Sequence, residues 1–226
     1  MGDSLKRAAA AAAVELVCDG MLLGLGTGST ANHALELLGE RVAEGLAITG
    51  VPTSERTAAR ARELGIPLQP FEPGLRLDLA IDGADEVSSQ LDLIKGLGGA
   101  LLREKKVESC AERLVIIIDD SKLVERLGRG PLPVEVATAE ADATLATLRA
   151  LDCEAALRRE AGAVFVTDNG NWIAHLRFAD GIPDPAALDA RLQALPGVID
   201  TGLFLGMADI VYSASPAGVK RLERTP

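Results

Sequence analysis

Aromatic side chains are scarce in these 226 residues: four Phe, one Tyr and one Trp, 3% of the chain. A core of large rings is excluded, so the interior falls to Ala, Val, Leu and Ile, the residues of buried parallel strands and their covering helices. Net positive charge is lacking too. The formal charge of -10 repels a phosphate backbone at long range and argues against nucleic acid as a partner. Cysteine is limited to Cys18, Cys110 and Cys153, an odd number without CxxC spacing, which points away from a zinc site or a disulfide framework and towards a reducing cytoplasm. The two histidines, His33 and His175, each stand alone and read as structural, despite the usual role of imidazole as a proton carrier. Long apolar runs are missing. The purely aliphatic stretch at 114–118 is far too short to span a bilayer, and Glu15 interrupts the alanine run at 8–13 before it could serve as a secretory leader. Position six is Lys6, where a myristoylation signal on Gly2 needs Ser or Thr. A soluble protein with no membrane partner is expected.

What remains is the balance of a folded globular chain, 48% hydrophobic and 25% charged. Asp3 or Ser4 can cap a helix to about residue 17, followed by a strand at 21–25, a helix at 30–38 and a strand at 46–51. Ser54 then caps a helix that Gly65 ends, 77–81 is a third strand, 100–111 a helix, and 114–118 a buried strand. Strands alternating with helices in this way predict a doubly wound, mostly parallel, Rossmann-like α/β sheet. The pattern changes after Gly128-Arg129-Gly130-Pro131. Strands at 134–137, 164–167 and 172–176 with helices at 141–151 and 185–195 predict a small α+β domain of ferredoxin-like type, and Asp168-Asn169-Gly170-Asn171 reads as the hairpin turn between its two central strands. Apolar residues at 202–212 then return to the large sheet. The expected division is a catalytic α/β domain at 1–127 plus 203–226, with an α+β domain inserted at 128–202.

Three segments carry chemistry. The first, Gly24-Leu25-Gly26-Thr27-Gly28-Ser29-Thr30, lies between a strand and a helix, where inward-turned amides and the helix N-terminus receive a phosphate. Thr27, Ser29 and Thr30 add hydroxyls. No Lys follows as in a Walker loop, and Thr30 takes the third glycine position of the dinucleotide fingerprint. A plain strand-to-helix turn with a Thr cap is the bland alternative. The second is Asp82-Gly83-Ala84-Asp85-Glu86, just after the third strand. Ligands of open parallel sheets gather at the carboxyl ends of the strands, so these acids face the same crevice as the glycine loop; the alternatives are a solvated Asx turn, or a metal site for which no further acid or His cluster completes the shell. The third, Lys95-Gly96-Leu97-Gly98-Gly99-Ala100, leads into a helix bearing Glu104. Amides at that helix start can hold an oxyanion beside Lys95, and Glu104 can reach a carbon acid, unless it is an exposed helical acid paired with a neighbouring Lys or Arg.

Taken with Val51-Pro52-Thr53-Ser54, Asp119-Asp120-Ser121-Lys122, Pro131-Leu132-Pro133-Val134-Glu135-Val136, Val166-Thr167-Asp168-Asn169-Gly170-Asn171 and Gly202-Leu203-Phe204, these segments closely resemble the type A ribose-5-phosphate isomerases, in order and in spacing over essentially the whole chain. One departure is Leu97, where that family usually has the second of three glycines after the lysine. The resemblance implies isomerisation of ribose 5-phosphate and ribulose 5-phosphate through an enediolate, with no cofactor and no metal. It implies Glu104 as the proton-transfer base, Asp82 and Asp85 as the residues that contact the sugar hydroxyls and help open the furanose ring, and Lys95 beside the developing oxyanion. It further implies that Thr27, Gly28, Ser29 and Thr30 form one ligand-binding loop, Gly96, Leu97 and Gly98 a second, with Gly83, Ala84 and Lys122 adding contacts. A cytoplasmic homodimer, or a dimer of dimers, is the implied assembly. Ser54 could assist, but a helix cap explains it equally well. Coenzyme A transferases, amino-sugar phosphate deaminases, sugar-phosphate sensors and a dinucleotide-dependent dehydrogenase are the competing readings; the first two do not explain Asp82, Asp85, Lys95 and Glu104 together, no DNA-binding helix pair supports the third, and NAD titration separates the last.

Overall fold

The protein is described by a computed structural model covering residues 2–224. In chain order the elements are α1 (Gly2–Val14), β1 (Leu22–Leu25), α2 (Ser29–Ala43), β2 (Thr49–Pro52), α3 (Glu55–Glu63), β3 (Leu79–Asp82), β4 (Glu86–Val87), β5 (Leu93–Ile94), α4 (Leu101–Glu108) and β6 (Leu114–Asp119). After a 3-10 turn at Asp120–Lys122 come β7 (Leu132–Val136), α5 (Ala141–Arg149), β8 (Glu154–Leu157), β9 (Arg159–Glu160), β10 (Ala163–Val164), β11 (Trp172–Arg177), α6 (Pro185–Gln193), β12 (Val198–Thr201), β13 (Leu203–Phe204), β14 (Ile210–Ser215) and β15 (Gly218–Glu223). Two compact units result. One holds the chain up to Ala84, Arg103–Lys122 and the stretch from Gly206 on; the other holds Asp85–Leu102 and Leu123–Leu205.

The first unit is a six-stranded sheet in the order β15-β14-β6-β3-β1-β2, parallel except for the β14–β15 hairpin. The alanine run is the inner stripe of α1: Ala9, Ala10 and Ala13 are fully buried, and their short side chains let the helix lie close against α2, β6 and β14. Ser54 caps α3 by accepting a hydrogen bond from the Thr57 amide, and Gly65 follows with φ 73°, the left-handed conformation a helix end favours. Two expected boundaries move. α2 runs on through Ala43, because the polar residues after Leu38 are good helix formers, and Leu46 still donates its amide to Arg41 at the helix end, so β2 begins only at Thr49. The exposed hairpin strand β15, with Lys220, Arg221 and Glu223, carries too little apolar alternation to be read beforehand.

In the second unit β7-α5-β8-β11-α6-β12 forms an antiparallel sheet ordered β12-β7-β11-β8, the ferredoxin-like arrangement. The partner of β11 expected at 164–167 is instead β8, whose Glu-Ala-Ala-Leu sequence has only weak strand patterning. Residues 164–167 contribute the end of the small β9–β10 hairpin and a single bridge from Val166 to Trp172. The turn at 168–171 is present, with the Thr167 amide donating to the Asn171 carbonyl at 2.9 Å and Gly170 at φ 77°. It serves the fully buried Glu135 of β7, whose Oε1 accepts from Thr167 Oγ1 (3.0 Å), Asn169 Nδ2 (3.2 Å) and Asn171 Nδ2 (2.9 Å).

The 202–212 segment divides: Leu203–Phe204 pairs with β5, and only β14 enters the large sheet. Hence the contacts that define the second unit take in more than 128–202. Asp85–Leu102 joins through the small sheet β13-β5-β4, and the Val124 amide donates to the Val87 carbonyl.

Candidate active site

In the first unit β1, β3 and β6 are neighbours and parallel, so the loops after them open on one edge. β1 lies between β2 and β3, and the chain reverses direction across the sheet there, the place where open α/β sheets hold ligands. Gly26–Thr30 follows β1, Asp82–Ala84 closes β3, and Lys122 ends the turn after β6, half-buried.

Gly26 sits against Asp82. Its amide donates to the Ile81 carbonyl at 3.0 Å, and a Cβ built on it would stand 2.2 Å from the Asp82 carboxyl carbon. Asp82, with no exposed surface, accepts hydrogen bonds from the amides of Thr27 (2.9 Å) and Gly83 (2.6 Å). The Thr27 hydroxyl is turned into a buried cluster, 2.7 Å from Thr53 Oγ1, 2.9 Å from Ser54 Oγ and 3.0 Å from Thr57 Oγ1; Thr57 in turn donates to the Gly26 carbonyl. Thr27 therefore builds the loop, while Gly28, Ser29 and Thr30 form its outer lip. The helix cap is Gly28, at φ 123° and without a side-chain cap bond, so no Thr cap occupies the start of this 15-residue helix. Lys6 of α1, unrecognised in the sequence, donates from Nζ to Ser29 Oγ at 2.9 Å. A cavity of about 540 Å³ opens here, bounded by Gly28, Ser29, Asn32, His33, Arg56 and Arg60 among others. Helix N-terminus, lysine and hydroxyls gather at this edge, with Asp3 and Glu36 also lining the cavity.

Glu104 is 2% exposed, which removes the reading of an exposed helical acid. Packing explains its position. Gly24 of β1 leaves room for α4: a Cβ there would stand 3.1 Å from Val107 Cγ1, and Val107 packs with Val51 and Leu77. With Val107 on the sheet, Glu104 and Glu108 lie one helical turn apart, and each offers a carboxylate oxygen to a group with Asp82 whose atoms all lie within 4.8 Å of one another. Glu108, 3% exposed, is the acid that sequence reasoning missed; the signal was its i,i+4 spacing from Glu104. The expectation that no further acid joins Asp82 is corrected accordingly. Carboxylates this close are matched by shared protons or by cations, and such a cluster can take a proton from a carbon acid. Arg103 Nη1 donates to Glu55 Oε1 at 2.8 Å, tying α4 to the start of α3 and holding the Glu55 carboxyl below its ordinary range.

The second unit positions the other predicted residues. Lys95 is 2% exposed; its amide donates to the Gly202 carbonyl at 2.9 Å, and its Nζ stands 5.4 Å from the Phe204 ring centre. A Cβ on Gly202 would fall 2.4 Å from the Lys95 carbonyl, which is why the Gly202-Leu203-Phe204 stretch needs its glycine. Asp85 Oδ2 accepts the Leu97 amide at 2.9 Å. Glu86, buried, accepts the amides of Gly128 (2.7 Å) and Gly130, so the third acid of the cluster is a clasp for that turn. Gly96 and Gly99 have positive φ, at 100° and 87°, whereas Leu97 does not; the conformation demands glycine at those two places and admits a side chain at 97. His33 pairs with Asp3 at 3.0 Å at the border of the cavity beside α2, and His175 lies in the β11 strand of the second unit.

Residues 49–218 match the family model described as ribose 5-phosphate isomerase A (phosphoriboisomerase A). A ribose-5-phosphate isomerase A of Rhodopseudomonas palustris (strain BisB18) is 51% identical, covering 98% of both chains, and one of Gloeobacter violaceus is 53% identical over 97% of this chain and 96% of its own. Among solved structures, a D-ribose-5-phosphate isomerase in complex with phospho-erythronic acid superposes with TM-score 0.95 at 39% identity, covering 99% of this chain and 100% of that one. The ribose 5-phosphate isomerase of Plasmodium falciparum gives 0.95 at 37% identity with the same coverage.

Proposed function

Since the chain belongs to the ribose-5-phosphate isomerase A family, we propose a division of that reaction among its residues. The enzyme interconverts D-ribose 5-phosphate and D-ribulose 5-phosphate. In the forward direction the C2 proton leaves, an enediolate forms, and a proton is returned to C1 while O1 gains and O2 loses hydrogen. Glu104 carries the proton from C2 to C1. The observation that supports this is its burial beside Asp82 and Glu108, with a carboxylate oxygen of each lying within 4.8 Å of the others, a place shielded from bulk water where a proton can be taken up and handed on.

Asp82 and Asp85 exchange hydroxyl protons during ring opening, with Gly83 and Ala84 as backbone contacts. Lys95, with the amides of Gly96 and Gly98, faces the charge that develops on the enediolate oxygens, while Leu97 fixes the loop between them through its bond to Asp85. The phosphate rests on Gly28, Ser29 and Thr30 at the start of α2, met by Lys6 and Lys122. Phospho-erythronic acid, the ligand of the related structure, carries both a phosphate and a carboxylate, and the carboxylate sets two oxygens side by side as an enediolate does. Ring opening breaks the C1–O4 bond as O1 gives up its proton and O4 gains one, and the steps after it are proton transfers between oxygen and carbon acids, so no cofactor or metal is invoked. A cytoplasmic homodimer or dimer of dimers is the assembly we propose, to be settled by light scattering.

The test is conversion of ribose 5-phosphate in the presence of a chelator, comparing the wild type with Glu104→Gln. A fall in kcat of at least about 100-fold is expected on the general-base scale. Near-normal turnover would remove Glu104 from the role, and loss of wild-type activity to the chelator alone would assign the carboxylates to a cation.

A further inference from the structure

We propose that Arg158, on the small domain and outside every motif that marks the family resemblance, is a positioning residue that sets the backbone of the loop from Lys95 to Gly99. The proposal rests on the isomerase reading above and names the residue that prepares its oxyanion-facing amides.

Leu97 is held at both ends of its peptide frame. Its amide donates to Asp85 Oδ2 at 2.9 Å, and its carbonyl accepts from Arg158 Nη1 at 2.8 Å. Between the two, the orientation of the Leu97 and Gly98 peptide planes is set by charged groups on either side. Such bonds are shorter and stronger than neutral ones. The guanidinium is itself fixed. Its central carbon stands 3.9 Å over the Phe165 ring, Nη2 pairs with Glu160, and the Arg158 amide donates to the Ile173 carbonyl at 2.8 Å in the central strand β11. Phe165 in turn packs with Leu101, Leu102 and Ile173, so the stack is anchored in apolar side chains at the start of α4.

The same stack meets the loop at Gly99. A Cβ there would lie 2.5 Å from the Phe165 ring edge and 3.1 Å from Arg158 Nη1. Gly99 thus serves two ends, a positive φ and the close passage of the Arg–Phe pair, while Leu97 keeps an ordinary φ because its carbonyl and amide already have partners. This accounts for a leucine in a loop that the resemblance would fill with glycine: external clamps replace the conformational freedom that glycine otherwise supplies. A preorganised set of amides stabilises charge only if it need not reorganise during the reaction, so loosening the clamp should be felt where charge develops. A planar fork that both stacks and donates is a task for Arg and not for Lys.

The experiment measures kcat and KM for ribose 5-phosphate in Arg158→Ala, Arg158→Lys and Phe165→Leu, each checked for folding by circular dichroism, with methylguanidinium added to Arg158→Ala. Arg158→Ala is expected to lower kcat by about 10-fold or more, the size of one lost charge-assisted hydrogen bond, with KM changing less than kcat because the amides act on the transition state. Methylguanidinium should restore part of the loss, and Arg158→Lys and Phe165→Leu should fall between. A folded Arg158→Ala enzyme with wild-type kcat would overturn the proposal, as would a loss confined to KM or one that methylguanidinium leaves untouched. If Arg158→Ala does not fold, Phe165→Leu decides: unchanged kcat overturns the clamp and a lowered kcat at unchanged KM upholds it. The underlying isomerase reading fails separately, by a wild-type chain without turnover or by an active Glu104→Gln.

Discussion

Replacing Gly26 by Ala adds one carbon at the most confined point of the first unit. The new Cβ would stand 2.2 Å from both Cγ and Oδ1 of Asp82 and 2.5 Å from its Cβ. Carbon atoms pack at roughly 3.5–4.0 Å, so more than an ångström of movement must be found. Gly26 cannot supply it cheaply, since its amide is bonded to the Ile81 carbonyl and its own carbonyl accepts from Thr57 Oγ1. The Asp82 side chain must turn away and surrender the amides of Thr27 and Gly83. Hydrogen bonds to a charged group are each worth about 1.5–3 kcal/mol, giving a loss of about 3 kcal/mol at the lower end. For a chain of this size that corresponds to a fall in Tm of about 6–12 °C, measurable by circular dichroism or calorimetry. Turnover of ribose 5-phosphate should fall in parallel even well below Tm, because Asp82 is displaced from Glu104 and Glu108. A Gly26→Ala enzyme with wild-type Tm and wild-type kcat would show that Asp82 is not held as described, and the site geometry built on it would have to be withdrawn.

Ser54→Ala removes the cap of α3 together with one member of the Thr27 hydroxyl cluster, and should cost about 1–2 kcal/mol in thermal unfolding; an unchanged Tm would mean that the cluster carries no stability. His175 offers a pH test. Burial first, then the charges of Arg158 and Arg177, hold its imidazole below the ordinary value of 6.5. The unfolded chain therefore binds that proton at higher pH than the folded one, so this contribution to stability is whole above about pH 6.5 and is lost as the pH falls below it. In His175→Gln the Tm-against-pH curve should be flatter on the acid side, and identical slopes in the two proteins would refute the assignment.

Much of the architecture was legible because it rests on local regularities. The apolar run at 114–118 became β6, Ser54 capped α3 as its position announced, and the turn chemistry of Asn169 and Gly170 produced a turn. The family resemblance was likewise written in short segments whose order survives without coordinates. Strand β8 escaped because Glu154–Leu157 is too short and too rich in alanine to declare itself until β11 lies beside it, and β15 because its exposed residues carry too little apolar alternation even next to β14.

The amino-acid sequence by itself determined the class of fold, the glycine loops, and a short set of acids and one lysine capable of the chemistry, since residue type and spacing suffice for those. Only the tertiary structure decided which acid does what. Asp82, Asp85 and Glu86 stand within five residues, yet one is buried against the glycine loop, one fixes Leu97 and one clasps Gly128 and Gly130. Glu108 and Arg158 gained their places in the same way, through the packing of α4 on Gly24 and the stack on Phe165. The physical reason is that burial and hydrogen-bond partners, which set what a charged group can do, belong to surroundings assembled from remote parts of the chain.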